Sequence, residues 1–166
     1  MAIPSRTMSP EDFLFQVDKG SIVLDVRSPA EFLEGHIQGA VSWPLFSNEE
    51  RAQIGTLYKQ RSREDAVDLG LELIGPRMKE LAQFGRHLFE SQTSSDGSKV
   101  RNALLIHCWR GGMRSESVAW LLRTAGIPSV VLEGGYKAFR TYARTQFDRT
   151  IDFAVLGGLT GSAKTE

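Results

Sequence analysis

The sequence is poor in the residues that build redox and metal centres, with one cysteine, Cys108, and three histidines among 166 residues. A lone cysteine cannot close an internal disulfide, so Cys108 acts as a thiol, a thiolate or a covalent adduct. No cluster of cysteines and histidines has metal-ligand spacing, and no metal site is expected. Net charge is absent too: 20 Lys and Arg face 20 Asp and Glu, which excludes a chain that holds nucleic acid by bulk charge. No apolar run approaches the ~20 residues that a membrane-spanning helix needs. Residues 1–13 also lack the apolar stretch of a secretory signal, so a cytoplasmic protein with no membrane partner is expected. What is present suits folding. Hydrophobic residues at 41% and charged residues at 24% exclude disorder over most of the chain, and the length fits one domain with some decoration.

Apolar runs alternate with helical patterns. Residues 22–26 form a continuous apolar run with a polar end, the pattern of a buried strand, and 40–43 a brief strand closed by Pro44. Residues 103–107 are the clearest buried strand and 130–132 another. Ser9-Pro10-Glu11-Asp12 and Ser28-Pro29-Ala30-Glu31 open short helices that stop near Gly20 and Gly35. From Ser47 to about Ser91 the pattern is helical, with Ile54, Leu57 and Tyr58 on one face, a charged joint at 60–65 and a break at Gly75-Pro76. Residues 91–98 read as an exposed polar loop. A helix carrying Val118, Leu121, Leu122 and Ala125 ends at Gly126, and a further helix runs from Tyr136 to about Phe147 after a Gly134-Gly135 turn. The expected fold is α/β: a central parallel sheet flanked by helices, with a helical insertion before the strand that leads into Cys108.

That strand runs straight into Cys108-Trp109-Arg110-Gly111-Gly112-Met113-Arg114-Ser115. Ligands of parallel α/β sheets gather at the carboxyl ends of strands, where this segment begins. Between a strand and a helix, successive backbone N–H groups and the helix N-terminus converge on one point, which favours an anion. Gly111 and Gly112 allow the backbone to curl, and Arg114 offers a fork of donors to close the ring. Trp109, Arg110 and Met113 complete the anion-binding loop. The same field lowers the thiol pKa, making Cys108 a thiolate nucleophile near neutral pH. Asp25 and Arg27, at a neighbouring strand end, are placed to support the loop as an ion pair. His36 and His107 lie beside a turn and at a strand end, where structural roles are expected.

His107-Cys108-x5-Arg114-Ser115 fits the His-Cys-x5-Arg-Ser/Thr pattern of protein tyrosine and dual-specificity phosphatases, in which the cysteine attacks phosphorus. The spacing alone points there. Leu24-Asp25-Val26-Arg27-Ser28-Pro29-Ala30-Glu31-Phe32, then Gly35-His36-Ile37, Gly39-Ala40 and Pro44, resembles instead the first signature of rhodanese domains, and Glu133-Gly134-Gly135-Tyr136 resembles their closing segment. Common rhodanese loops are one residue shorter, Cys-x4-Arg, and the wider loop here suits a tetrahedral, phosphate-like anion. At this loop length, Cys108 to Ser115 together with Gly134-Gly135-Tyr136-Lys137-Ala138-Phe139-Arg140 resembles the rhodanese domain of bacterial tRNA 2-selenouridine synthases. The resemblance implies a transferase that replaces the sulfur of wobble 2-thiouridine in tRNA by selenium from selenophosphate and also geranylates that sulfur with geranyl diphosphate. It implies Cys108 as the residue that carries or handles selenium. The partners it implies are tRNA and a selenophosphate supplier, with the two phosphorylated compounds as co-substrates and no cofactor bound by this chain. A cysteine phosphatase and a non-catalytic rhodanese-like binding module are the alternatives.

Residues 151–156 read as a strand, and Gly158, Gly161, Lys164 and Thr165 nearly complete the phosphate-cradling pattern Gly-x4-Gly-Lys-Ser/Thr. Ala163 replaces the glycine before the lysine, and the sequence stops before the helix whose amides would hold a phosphate. The expected division is a rhodanese-like domain over 1–150 and, over 151–166, a strand and incomplete phosphate loop of a missing C-terminal domain. This chain alone is then expected to lack the full activity. Lys137, Arg140 and Arg144 share one helical face within 134–150, where four basic residues face the single acid Asp148, and are a candidate tRNA contact.

Overall fold

The structure, a computed structural model, describes residues 7–92 and 102–148. Local signals set the helix starts. Ser9 accepts the Asp12 amide ahead of α1 (Pro10–Asp18), while Ser28 and Glu31 form a capping box at the start of α2 (Pro29–Leu33). Each helix carries Pro in its first turn, where its φ is already helical. Ser47 and Glu50 form the same box for α3 (Asn48–Gln60), and Ser62 caps α4 (Arg63–Ile74). Gly75–Arg77 is a turn of 3-10 helix that passes into α5 (Met78–Ser91). The helical insertion is therefore a hairpin, α3–α4, and a third helix. The last two helices are α6 (Met113–Thr124) and α7 (Gly135–Phe147).

Five strands, β1 (Thr7–Met8), β2 (Val23–Asp25), β3 (Val41–Ser42), β4 (Leu104–His107) and β5 (Ser129–Leu132), form one parallel sheet in the order β1-β5-β4-β2-β3. The sequence pattern does not signal β1, because two residues at a sheet edge are too short to show a period. Side chains alternate across a strand, and here both faces are covered. Leu24, Leu104, Ile106 and Val131 enter a core beneath α6, whose Val118, Ala119 and Leu122 are buried there, and Ile54, Leu81 and Leu88 of α3 and α5 pack against it. Val23, Leu105, Val130 and Leu132 enter a second core with Phe13 of α1 and Tyr136 of α7. This double burial explains why the strands read as unbroken apolar runs. Among the described residues no helix is long and apolar enough to cross a membrane. The strand at 151–156 and the phosphate-loop residues Gly158, Gly161, Lys164 and Thr165 lie outside the described residues, as does most of the polar loop at 91–98.

Helix α5 meets α6 through Gly85, where an added Cβ would lie 2.3 Å from Cδ2 of Leu122. Leu122 is fully buried, with little room to move aside. Gly85→Ala gains roughly 1 kcal/mol of helix propensity but overpacks a close-packed seam, at about 1–3 kcal/mol. The steric term wins, and urea unfolding should show a net loss of about 1 kcal/mol or more; stabilisation would mean that the two helices are loosely docked.

Candidate active site

β4 is the central strand, and Cys108 follows its last residue. Two hydrogen bonds pin the loop from outside: the Tyr136 amide donates to the Cys108 carbonyl at 2.8 Å and the Lys137 amide to the Trp109 carbonyl at 3.0 Å. These are first-turn amides of α7, which a helix leaves unpaired. The C=O and N–H of one planar trans peptide point in opposite directions. Tying down these two carbonyls therefore turns the Trp109 and Arg110 amides the other way, and the Arg110 amide is among the groups that lower the Cys108 pKa. The contact leaves no space for side chains. A Cβ on Gly135 (φ +61) would lie 2.4 Å from the Gly111 nitrogen and 2.5 Å from the Cys108 carbonyl oxygen, and one on Gly111 (φ +67) 2.6 Å from the Leu132 carbonyl oxygen.

Cys108 is buried, which by itself pushes its thiol pKa up. Opposing that, in order of effect, are the Ser115 hydroxyl, the Ser115 amide, the Arg114 charge and the Arg110 amide, and the net pKa lies below the ordinary thiol value. The Ser115 hydroxyl is 3.2 Å from the sulfur and 3.0 Å from the Gly112 carbonyl oxygen. It can donate to the carbonyl while sulfur carries its proton and to sulfur once that proton leaves. Arg114 is engaged by a carboxylate: its Nη1 donates to Glu31 Oε2 at 2.7 Å and its Nη2 to Oε1 at 3.2 Å. Burial raises the Glu31 pKa, but the Arg114 hydrogen bonds, the Ser28 amide and the charges of Arg114 and Arg51 hold it below the ordinary carboxylate value. In the sequence Glu31 reads as part of a helix start and of the rhodanese signature, with no sign of its partner Arg114. It both caps α2 and holds Arg114, so the start of α2 also fixes the loop's arginine.

Behind the loop, the pairing of β2 with β4 sets Asp25 beside His107. Asp25 takes the Arg27 guanidinium at 2.6–3.1 Å, both side chains being buried. Arg27 also donates to the Gly35 carbonyl at 2.7 Å and lies 3.9 Å from the Tyr136 ring centroid. The pair thus steadies the residue whose amide pins Cys108. His107 is fully buried with neither ring nitrogen hydrogen-bonded, and Asp25 stands 3.6 Å from its Nε2. Burial pushes its pKa down to about 4; Asp25 opposes this, and Arg27 adds to it. His36 stacks on Phe32, with Nδ1 3.0 Å from the Phe32 carbonyl oxygen.

A cleft of about 810 Å³ opens over the loop, lined by Cys108, Trp109, Arg110, Gly112, Met113 and Arg114 on one side and by α3 and α4 on the other. The sequence reading missed the hairpin's part in it. Tyr58, assigned there to an apolar helix face, is 60% exposed at this cleft instead. Lys137, Arg140 and Arg144 are exposed on α7 and do not line it; Arg140 lines a smaller pocket with Arg27, Glu34, Gly35, Trp109 and Tyr136. Gly134 and Gly135, a turn and part of the closing rhodanese segment in the sequence, fold α7 against the loop.

The rhodanese-like domain family matches residues 9–142. The chain belongs to that family. The N-terminal domain of a Clostridium difficile 630 protein whose name proposes ATP/GTP binding superposes on this rhodanese-like chain with a TM-score of 0.72 at 32% identity, covering 82% of this chain and 98% of that one. A tRNA 2-selenouridine synthase from Pseudomonas fluorescens is 36% identical over 147 residues, 87% of this chain and 38% of that protein. One from Bordetella petrii is 40% identical over 153 residues, 87% of this chain and 37% of that protein. The chain thus spans about two fifths of the length of these relatives.

Two predictions follow from this geometry. Iodoacetamide alkylation of Cys108 against pH should give a midpoint below the ordinary thiol value of about 8.5, and Ser115→Ala should raise it by about one pH unit; a parent midpoint at the ordinary value contradicts the sulfur environment described. His107 is neutral when folded down to about pH 4 but takes a proton near 6.5 when unfolded. The unfolded state then binds more protons, and stability is lost as pH falls through that window, by about 3 kcal/mol in all. In urea titrations across this range His107→Gln should flatten the decline, and an unchanged slope would assign it to other groups.

Proposed function

We infer that this chain is the cysteine-bearing domain of a tRNA 2-selenouridine synthase, a transferase that exchanges the sulfur of wobble 2-thiouridine in tRNA for selenium. The observation that carries this reading is the 36–40% identity to proteins of that name over 87% of the chain. The site's chemistry supports it. A buried sulfur ringed by donors is suited to being a nucleophile that carries or handles selenium. The Cys-x5-Arg loop, with amides and Arg114 around the sulfur, suits selenophosphate. The cleft combines an apolar floor, including Leu45, Phe46 and Ile54, with the cations Arg51, Lys59, Arg63, Arg110 and Arg114. That composition also suits geranyl diphosphate, whose anionic end and apolar chain call for both. Selenophosphate comes from a supplier enzyme, and tRNA is the acceptor.

A phosphatase needs an acid to protonate the leaving oxygen. Among the described residues no Asp or Glu lines the cleft, and Glu31 is committed to Arg114. A mere docking module has no need of a sulfur whose pKa is lowered against its burial.

The assay uses a complete enzyme carrying this domain. Cys108→Ser, which is nearly isosteric, should abolish selenation of 2-thiouridine tRNA while circular dichroism stays unchanged, and aryl phosphates should not be turned over. Normal selenation by the variant removes the role given to Cys108, and robust phosphate hydrolysis lost in that variant favours the phosphatase.

A further inference from the structure

The cations of the cleft outnumber what one small anion needs. The loop amides with Arg114, itself shared with Glu31, are enough for a single tetrahedral anion, which leaves Lys59, Arg63 and Arg110 over. Among the described residues none of these three has a carboxylate within salt-bridge distance, although each lines the cleft. Arg51, nearer the loop, has a buried Nε without a hydrogen-bond partner and stands 3.8 Å from Glu31. Helix α4 does carry acids, Glu64, Asp65, Asp68 and Glu72, but none lines the cleft. The positive lining is a property of this surface, not of the hairpin as a whole.

We propose that the α3–α4 hairpin is an RNA-binding wall: a single-stranded RNA segment runs along Arg51, Lys59 and Arg63 and presents a splayed base over Cys108. The proposal rests on the reading of tRNA as acceptor and adds the surface that holds it. Arg51 and Lys59 are eight residues apart on one helix, about 12 Å of rise, a span for more than one phosphate. Arg63 reaches across the mouth to Met113, its Nη2 3.7 Å from the sulfur, so the hairpin's cations and the cysteine loop share one opening. Tyr58, Leu71 and Met113 are 60%, 65% and 49% exposed there. An aromatic ring and apolar side chains beside exposed cations are what unstacked bases and their phosphates need. The α7 cations are placed less well for this purpose: none of them lines the cleft, and beyond its first turn helix α7 packs with α1 over the second core, whereas Cys108 belongs to the first.

The test is fluorescence anisotropy of a labelled 2-thiouridine anticodon stem–loop with the full 166-residue chain, over a salt series. Lys59→Ala/Arg63→Ala should weaken binding about tenfold and flatten the log–log salt slope by about two. Lys137→Ala/Arg140→Ala/Arg144→Ala should change affinity less than about threefold. Iodoacetamide reaction of Cys108 at the parent rate reports that each variant keeps its site. Loss of binding in the α7 variant instead, or parental binding by the hairpin variant, overturns the proposal. Inorganic diphosphate binding that falls in the hairpin variant while RNA binding persists also overturns it, assigning the cations to a small ligand. A parent chain that takes a sulfur from thiosulfate onto Cys108, releasing sulfite, but does not bind the stem–loop refutes this surface and leaves the proposed function standing. Hairpin-dependent RNA binding without any loading of Cys108 does the reverse.

Discussion

The Tyr136 and Lys137 amides, donated to the carbonyls of Cys108 and Trp109, are the contacts on which the rest of the site depends. They take up the unpaired start of α7 and, through peptide planarity, turn loop amides toward the sulfur. Two glycines make the approach possible, because Gly111 and Gly135 meet backbone to backbone at distances no Cβ allows. A strand end, a helix start and a four-residue turn thereby become a cradle without any side chain reaching far.

Side-chain interactions on either flank hold that cradle in one arrangement. Behind it, the buried Asp25–Arg27 pair supports the Tyr136 ring; in front, Glu31 fixes the fork of Arg114. Neither pair contributes much net stability: desolvation offsets the attraction in the buried one, and solvent screens the part-exposed one. Their use here is geometric. Both begin in the segment from Asp25 to Glu31, so β2 and the first turn of α2 brace the loop of β4 from its two sides. His107, buried and neutral beside Asp25, adds polarity without charge.

Much of this was legible in the sequence, for reasons particular residues make plain. Ser-Pro-x-Glu starts, unbroken apolar runs and Gly breaks are local signals, and they located four of the seven described helices within a few residues and gave the other three as one helical stretch over 47–91 with a joint and a break. The Asp25–Arg27 pair was readable because both sit at one strand end. Glu31 was hidden behind its other role as a cap, and its partner Arg114 lies 83 residues away. The cleft was hidden for a related reason. Tyr58, Lys59 and Arg63 look like an ordinary amphipathic hairpin until the fold sets them opposite Cys108. Periodicity reports which residues avoid water, but not which surface they face.

The central claim is that Cys108 is a nucleophile toward sulfur or selenium rather than phosphorus. Intact-protein mass spectrometry of the chain, after thiosulfate, selenosulfate and an aryl phosphate in turn, tests it most directly. With thiosulfate or selenosulfate the thiolate attacks the outer sulfur or selenium, sulfite leaves, and Cys108 becomes a persulfide or a perselenide. The account predicts a gain of one sulfur or one selenium atom, absent from Cys108→Ser. A phosphoryl adduct on Cys108, or no adduct from either chalcogen donor, would contradict it.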